Sequence, residues 1–532
     1  MNDFVPRFIG IDKPTDELAP EIVGSKAAML SRMSRLDLNV PPAFVLPTAL
    51  CEPLSRNDPQ AVAALHQGLR AGIARLEQAT GRRFGDARAP LLVSVRSGAA
   101  QSMPGMLATV LDVGLNDDTV RGLIGLTGNP RLAWDSYRRF LQGFAETVGD
   151  SSSAPFDAGL AAMIRDEKVE TAAELDSEAL ERLSQEFKAI ALHATGHPIP
   201  ADPMAQLAAA ARAVYRSWNG TRARTYRRLN HLDERAGTAV TVEAMVFGNA
   251  GGESGAGVAF SRNPATGVRE LYVDFLFDAQ GEDVVAGRRL TAGLGPLTAR
   301  LPQVATQLTD GAARLEREFR DVQDIEFTVE NGTLFFLQTR TAKRTPLAAL
   351  RILVDLVHEG VVDPATAAAR AAEIDLDRIR VTCFGDRMPA AARAIAVSPG
   401  AAVGRAAFDS ARAETLAAGD QPVILVRHDT STDDVTGFAA AAGILTAVGG
   451  RTSHAAVVAR QLGKVCLVGC RELTIHADDR CGELAGKRID EGDWLSLDGD
   501  NGDVTLGRRT VIAKLPEHEL AEIATWRQHA TS

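Results

Sequence analysis

The sequence predicts a multidomain protein of mixed α/β and α+β structure, and three observations support this. Its 532 residues exceed the length that one hydrophobic core serves, which is about 250–300 residues. Its composition, 45% hydrophobic and 24% charged, is typical of globular proteins. Short strand-like runs alternate with segments of helical periodicity along most of the chain. We therefore expect several domains, each with its own core.

The first 341 residues are expected to form one α/β unit. Within residues 20–115, helical patterns over 26–36 and 61–81 alternate with a strand pattern over 91–96. Residues 118–230 are dominated by helical periodicity, which predicts a largely helical insertion.

Strand patterns dominate the rest of this unit, over residues 237–340. They include a glycine-rich loop over 248–257 and a final hairpin that turns at Asn331 and Gly332.

The second part of the chain is predicted to contain a linker and a smaller domain. Residues 342–392 show two or three short helical patterns, which suit a helical linker. Residues 393–510 alternate short strands with helices and predict a compact α/β domain. Residues 511–532 form a C-terminal tail, which we expect to be one short amphipathic helix.

Charge and cysteine content narrow the classes of function. A net charge of −10 gives no general attraction to nucleic acid or to an anionic membrane. Five cysteines are few and odd in number, which argues against a disulfide framework and favours a reducing, cytoplasmic location. No apolar run reaches the roughly 18 residues that span a bilayer. We therefore expect neither a nucleic acid nor a membrane as partner.

One histidine lies where a helix is predicted to begin. In GGRTSHAAVVAR, residues 449–460, Ser453 is a good N-cap and His454 falls in the first helical turn. Unpaired backbone N–H groups and the helix dipole at that position stabilise a phosphoryl group. A histidine that only caps or packs at the helix start is the structural alternative.

Two carboxylates are predicted to share one face of a strand. Asp324 and Glu326 are two residues apart, so both side chains can reach one divalent cation. Gln338 joins their face if the hairpin loop has three residues, Asn331 to Thr333, and we predict that loop. A charged edge strand facing solvent is the alternative.

Lys26 and Arg96 are candidate phosphate ligands. Each lies beside small residues, Gly24-Ser25 and Ser97-Gly98, that let a phosphate approach the backbone. Arg139 is a further candidate for a phosphate contact. Surface turns and strand ends are the alternative interpretation of the two short motifs.

The segment GGRTSHAAVVARQLGKVCLVGC, residues 449–470, resembles the phosphohistidine signature of pyruvate phosphate dikinases and their phosphoenolpyruvate-utilising relatives. Relatives that use water instead of phosphate tend to have Cys before the histidine and to lack the second cysteine. This chain has Ser453, Cys466 and Cys470, which is closer to the dikinase branch. Further segments resemble the family in the family's own order, and the similarity covers roughly residues 20–510. These segments are VSVRSGAAQSMPGMLATVLDVGLN, SWNGTRARTYRRLN, GTAVTVEAMVFGNAGGESGAGVAFSRNPATG, FDAQGEDVVAG and QDIEFTVENGTLFFLQTRTAKRT.

The resemblance implies an ATP-grasp nucleotide-binding unit, followed by the helical linker and a swivelling phosphohistidine domain. It implies magnesium as cofactor and His454 as the phosphorylated nucleophile, with Arg96 and Arg340 also catalytic. The ATP-binding residues that it implies are Lys26, Arg96, Glu243, Met245, Gly252, Glu282, Asp324, Glu326 and Gln338. Of these, Asp324, Glu326 and Gln338 would bind the metal.

Three features of the motifs need separate mention: the residues around Lys26, Thr452 and the cysteine pair. The family usually has Gly-Gly-Lys-Gly around the lysine, whereas this chain has Gly24-Ser25-Lys26-Ala27. Thr452 corresponds to a site of regulatory phosphorylation in some plant members, and that control is not assumed here. Cys466 and Cys470 fall in an apolar run and are expected to pack as buried thiols.

By resemblance, ATP and phosphate are converted to AMP, pyrophosphate and phosphohistidine, and the domain then moves to a separate pyruvate site. Nothing in this sequence resembles the barrel that holds that site. Three interpretations follow: a phosphotransferase that serves an acceptor site on another protein or a different small molecule, the front portion of a longer dikinase, or a non-catalytic nucleotide-binding remnant. The oligomeric state, a homodimer among the options, is left open.

Overall fold

The computed structural model describes residues 4–11, 17–101, 103, 106–285, 293–376, 379–430, 434–451, 453–476 and 480–530. The chain divides into two compact units, one comprising Met1–Gly251 with Phe335–Gln338 and the other Gly252–Leu334 with Thr339–Ser532. Among the described helices, none combines the length and the apolar content that crossing a membrane requires.

The first unit is built on a five-stranded sheet with the order β1-β2-β7-β5-β6, in which neighbouring strands are antiparallel. Its strands are β1 (Arg7–Ile9), β2 (Ala43–Leu46), β3 (Arg83–Phe84), β4 (Pro90–Leu91), β5 (Val93–Gly98), β6 (Thr109–Val113) and β7 (Ala239–Ala244). Its helices are α1 (Pro20–Arg35), α2 (Cys51–Ser55), α3 (Pro59–Thr80), α4 (Thr119–Thr127), α5 (Pro130–Thr147), α6 (Ala154–Asp166), α7 (Ser177–Thr195), α8 (Pro203–Ser217) and α9 (Thr221–Leu229).

Local sequence signals set the ends of these helices. The Asp58 carboxylate accepts hydrogen bonds from the backbone N–H groups of Gln60 and Ala61 and begins α3, and Gly81 ends it in the left-handed conformation. Helices α4 to α9 occupy the segment predicted to be helical. Their apolar faces share one core with the sheet, which includes Phe140 and Phe187.

The second unit contains the later elements, except that Phe335–Gln338 of β11 belong to the first unit. Its strands are β8 (Gly255–Phe260), β9 (Tyr272–Phe277), β10 (Gln323–Glu330), β11 (Thr333–Thr341), β12 (Val381–Phe384), β13 (Ala392–Arg393), β14 (Ile395–Ser398), β15 (Ala401–Ala407), β16 (Val423–Arg427), β17 (Gly443–Thr446), β18 (Val465–Val468), β19 (Leu473–His476), β20 (Cys481–Leu484), β21 (Lys487–Asp490), β22 (Trp494–Asp498), β23 (Asp503–Leu506) and β24 (Val511–Lys514). Its helices are α10 (Gly281–Val285), α11 (Leu294–Arg300), α12 (Pro302–Phe319), α13 (Pro346–His358), α14 (Pro364–Ala371), α15 (Ser410–Ala418), α16 (Val435–Ala440), α17 (His454–Leu462) and α18 (Glu517–Ala530).

Two larger sheets organise this unit. One has the order β11-β10-β8-β9 and carries the predicted carboxylates. The other has eight strands in the order β13-β23-β22-β15-β16-β17-β18-β14, and β15 to β18 run parallel to one another. Helix α17 crosses from β17 to β18, as expected for a connection between parallel strands.

The hairpin between β10 and β11 differs from the prediction. The strands leave only Asn331 and Gly332 between them, so the predicted three-residue loop is wrong. Both residues have positive φ angles, 47° and 74°, as a two-residue type I′ turn requires.

The C-terminal tail is more than one helix. Strand β24 pairs antiparallel with β12 of the predicted linker, and only then does α18 begin. On α18, Ile523 and Trp526 are buried in a core that also contains residues of α13 and α14. The tail therefore folds onto the linker, a pairing that local periodicity does not reveal.

Candidate functional site

In the first unit, an arginine and a glutamate from adjacent strands form an ion pair. Arg96 on β5 and Glu243 on β7 face the same side of the sheet, and Arg96 Nη1 lies 3.2 Å from Glu243 Oε2. The Glu243 side chain is only 5% exposed. Met245 follows β7, its N–H donates to the carbonyl of Leu92, and its side chain is half-buried. Three of the predicted nucleotide contacts therefore occupy neighbouring strands.

A close backbone contact fixes the position of Lys26. Helix α1 is interrupted at Gly24, whose φ is 78°. A Cβ there would lie 2.1 Å from the carbonyl oxygen of Gly98, so only glycine fits. The Ser25 N–H and hydroxyl both donate to the carbonyl of Ala99, at 2.9 and 3.0 Å. Ser25, which replaces the usual glycine, thus ties this segment to the end of the strand that carries Arg96.

In the second unit, four side chains form a row across the four-stranded sheet. Asp324 on β10 is the cross-strand partner of Phe260 on β8, and Phe260 is the partner of Tyr272 on β9. On the other side of Asp324, Arg340 Nε donates to Asp324 Oδ2 at 2.8 Å. We call Arg340, Asp324, Phe260 and Tyr272 the cross-sheet row.

Asp324 is a buried carboxylate with one unsatisfied oxygen. Its side chain is 8% exposed, and burial raises its pKa, although the charge of Arg340 opposes the rise. Its Oδ1 atom is buried without a hydrogen-bond partner among the described residues. Glu326 lies two residues further on the same face of β10, as predicted from the alternation. An unsatisfied carboxylate oxygen beside a second carboxylate suits a divalent cation.

Gln338 lies on β11, two residues before Arg340. Because side chains alternate along a strand, Gln338 and Arg340 share one side of β11. The predicted reason for this placement, a longer loop, is wrong, while the role of Gln338 as a metal ligand stays a prediction.

The glycine-rich segment is less open than the predicted loop. Gly255 to Gly257 belong to strand β8, and Ser254 is fully buried, with its hydroxyl accepting from the N–H of Asn331 at 3.0 Å. The carbonyl of Glu253 accepts from the N–H of Gly332 at 2.8 Å. Only Gly252 and Glu253 are exposed at its tip. The exposed part of the predicted loop is thus a short tip that is anchored on the hairpin turn.

Glu282 and Arg139 occupy different settings. Glu282 is exposed in the first turn of α10. Arg139 on α5 donates through Nε to Asp135 at 3.0 Å, so it serves an ion pair on its own helix. The phosphate contact of Arg139 stays a prediction.

The predicted histidine is the first residue of α17, and Ser453 is its N-cap, as predicted. The Ser453 hydroxyl accepts from the N–H of Ala456 at 3.4 Å. The turn before the helix uses Gly449 at φ 118°. His454 therefore lies among the unpaired N–H groups of the first turn. Its side chain and all of Thr452 lie outside the described parts of the structure.

Sequence reasoning missed two arginines of this segment. The guanidinium of Arg460, on α17, lies 5.4 Å from the ring centroid of Phe260. Arg451 lies 5.3 Å from the ring of Tyr272, and its carbonyl accepts from Arg460 Nη1 at 2.9 Å. The helix that begins at His454 is thereby packed on the cross-sheet row. Local sequence gives no signal of this, because the aromatic partners are distant in the chain.

The cysteine pair is structural, as predicted. Cys466 lies on β18 and Cys470 just after it, and both are fully buried free thiols. Burial raises their pKa values to about 12 and about 11, which disfavours the thiolate that binds metals. Within the described ranges, no group of three or more His, Cys, Asp or Glu side chains could hold a metal. A cation would therefore depend on fewer acidic ligands together with other groups.

Comparisons with known proteins agree with this architecture. Residues 61–291 match the sequence family described as pyruvate phosphate dikinase, AMP/ATP-binding domain, and residues 419–502 match PEP-utilising enzyme, mobile domain. The chain thus combines a match to a nucleotide-binding domain with a match to the mobile domain of phosphoenolpyruvate-utilising enzymes.

Individual relatives match nearly the whole chain. The chloroplastic pyruvate, phosphate dikinase of Flaveria trinervia is 42% identical over 513 residues, covering 96% of this chain and 54% of the relative. The pyruvate, phosphate dikinase of Clostridium symbiosum is 43% identical over 494 residues, covering 91% and 56%. The chain is therefore similar to pyruvate, phosphate dikinases along nearly its whole length. It spans about half the length of the curated relatives it matches.

Proposed function

We propose that this chain uses ATP and inorganic phosphate to phosphorylate His454, with release of AMP and pyrophosphate. The phosphoryl group then passes to pyruvate or another acceptor at a site outside this chain. The acceptor site would belong to a separate domain or protein.

One observation carries the proposal. The helix that begins at His454 is packed, through Arg460, on the cross-sheet row that contains Asp324. Arg460 is six residues after His454, which corresponds to about 9 Å along a helix. A candidate nucleophile and a candidate metal ligand thus belong to one compact unit, and the helix of the first packs on the sheet of the second.

The residues of the first unit are proposed to bind ATP. Lys26 and Arg96 would neutralise phosphate charge, and the backbone at Gly98 and Ala99 holds the segments of both residues in place. Glu243 and Met245, which lie at the end of β7, are proposed to contact the adenine ring. The buried carboxylate of Glu243 also orients Arg96.

Asp324 and Glu326 are proposed to bind magnesium, with Gln338 as a third ligand. Magnesium bound there would bridge phosphate oxygens and neutralise their charge. Arg340 would orient Asp324 through its hydrogen bond and present its remaining N–H groups, on a 47% exposed side chain, to a phosphate. Gly252 and Glu282 are proposed to complete the ATP site.

The chemistry proposed for His454 has two displacements. A neutral imidazole nitrogen attacks the β-phosphorus, the N–P bond forms, the α–β bridging P–O bond breaks and AMP leaves. Inorganic phosphate then attacks the γ-phosphorus, the β–γ bridging P–O bond breaks and pyrophosphate leaves. The N–H groups at the start of α17 would stabilise the phosphohistidine that remains.

Labelling with ATP that is radioactive at the β-phosphorus tests the proposal. We expect acid-labile, base-stable label on the wild-type chain in the presence of magnesium and phosphate, and none on His454→Gln. A matched control is His476→Gln on β19, which should be labelled as well as the wild type. Absence of label on the wild type under all conditions would favour a non-catalytic nucleotide-binding remnant.

A further inference from the structure

Two arginines near His454 lie over the two aromatic rings of the cross-sheet row. Phe260 and Tyr272 are cross-strand partners with ring centroids 6.2 Å apart. Arg460 lies over Phe260 and Arg451 over Tyr272, at 5.4 and 5.3 Å. A guanidinium within about 6 Å of a ring centroid is attracted by the π electrons of its face.

The two arginines bracket His454 in the sequence. Arg451 lies three residues before it and Arg460 six residues after it. The bond from Arg460 Nη1 to the Arg451 carbonyl closes this segment on itself. Contacts at both ends therefore restrain the position of His454 relative to the four-stranded sheet.

Arg460 is a buried charge, and several of the groups around it belong to the four-stranded sheet. It is 1% exposed, and its Nε atom has no hydrogen-bond partner among the described residues. Burial lowers its pKa, and the carboxylates of Asp274 and Asp324, on β9 and β10, oppose that shift. Within its own segment, among the described residues, its side chain donates to a neutral carbonyl, that of Arg451. The rings and carboxylates of the four-stranded sheet thus offset part of the cost of burying this charge.

We propose that Phe260 and Tyr272 form an aromatic dock for Arg451 and Arg460, and that these four positioning residues hold His454 beside the carboxylates of the four-stranded sheet during phosphorylation. The inference rests on the proposed function and adds the contact that positions the nucleophile. Cation–π contacts suit a reversible dock, because a released guanidinium regains its hydration in water.

The test uses the full 532-residue chain and measures two quantities. The first is the rate of His454 phosphorylation at saturating ATP, together with the dissociation constant of ATP. The second is hydrogen–deuterium exchange of the amides of α17, which needs no catalysis. Tyr272→Leu removes a ring face, Tyr272→Phe keeps it, and Arg451→Met removes the charge without altering the buried core.

We expect Tyr272→Leu and Arg451→Met each to lower the phosphorylation rate about fivefold, the factor that corresponds to about 1 kcal/mol. The ATP dissociation constant should stay within about twofold, and α17 should exchange faster. Tyr272→Phe and Arg451→Lys should retain most of the rate. As a control, Trp494→Leu removes a ring that holds Arg405 and Arg508 in the eight-stranded sheet, and should change neither quantity.

Unchanged phosphorylation and unchanged exchange in Tyr272→Leu and Arg451→Met would overturn the dock. A wild-type chain that takes no label would instead overturn the proposed function. The exchange of α17 then decides the dock alone, since faster exchange in the two variants would still show that these contacts hold the helix.

Discussion

At the scale of single residues, Asp324 is a carboxylate whose burial lowers the stability of the folded chain at neutral pH. Its carboxylate is buried, one of its oxygens lacks a partner, and its pKa is raised by burial. A raised pKa means that the folded state holds the proton more tightly than the unfolded chain. The stability contribution of Asp324 is therefore most favourable below the unfolded pKa, about 3.9, and is lost as pH rises through the folded pKa.

Asp324→Asn should therefore stabilise the metal-free chain at neutral pH while weakening function. We expect the free energy of unfolding at pH 7 to rise by about 1 kcal/mol, because the amide avoids the cost of a buried charge. Arg340, left without its ion-pair partner, is 47% exposed and can be hydrated. Urea unfolding with a chelator at pH 7 and pH 4.5 measures this.

The stabilisation should shrink toward the lower pH, where Asp324 in the wild type becomes protonated. Glu326→Gln is the matched control, since its half-buried carboxylate should change the stability less. A variant that is less stable than the wild type at pH 7 would contradict this interpretation. His454 labelling by ATP should fall at least tenfold in Asp324→Asn.

At the scale of elements, short contacts decide where the site residues lie. Helix α1 breaks at Gly24 because the chain must touch Gly98 there, and the break sets the position of Lys26. Helix α17 begins where Ser453 caps it, and this sets the position of His454. In both cases a local backbone feature positions a proposed phosphate ligand.

Gly24→Ala should destabilise the chain by at least about 2 kcal/mol, because its Cβ would clash with the Gly98 carbonyl and its φ is positive. Gly81→Ala is the control, since φ there is 68° but no atom lies within 4 Å of the added Cβ. It should cost about 1 kcal/mol. Denaturant unfolding compares the two, and equal losses would show that the contact with Gly98 is unimportant.

The core formed by the tail and the linker helices gives another prediction. Trp526 on α18 is 5% exposed, in a core shared with α13 and α14. Trp526→Ala should cost about 3–5 kcal/mol. Leu515→Ala, at a residue 48% exposed just before α18, should cost less than about 0.5 kcal/mol. Similar midpoints for both variants in thermal unfolding would mean that the tail does not support the linker.

Sequence predicted the elements whose signals are local. The segment predicted to be largely helical, 118–230, contains α4 to α9, and Ser453 caps α17 as predicted, because helical periodicity and capping depend on neighbouring residues. The predicted three-residue loop was wrong because Asn-Gly favours a two-residue type I′ turn, which is the turn that the structure has, and the prediction did not follow this local signal. The dock of Arg451 and Arg460 was missed because it depends on tertiary packing.

At the scale of the whole molecule, each compact unit carries its own part of the proposed chemistry. The first unit holds Lys26, Arg96 and Glu243, and the second holds Asp324 and the helix of His454. The chain spans about half the length of the curated relatives it matches. The central claim is that His454 is loaded from the β-phosphoryl group of ATP.

The most direct test of that claim compares ATP labelled at the β position with ATP labelled at the γ position. With magnesium and phosphate present, we predict that only the β label stays on His454 and that the γ label appears in pyrophosphate. Without phosphate, both labels should stay on the protein. Retention of the γ label on His454 in the presence of phosphate, or no label at all, would contradict the proposed reaction.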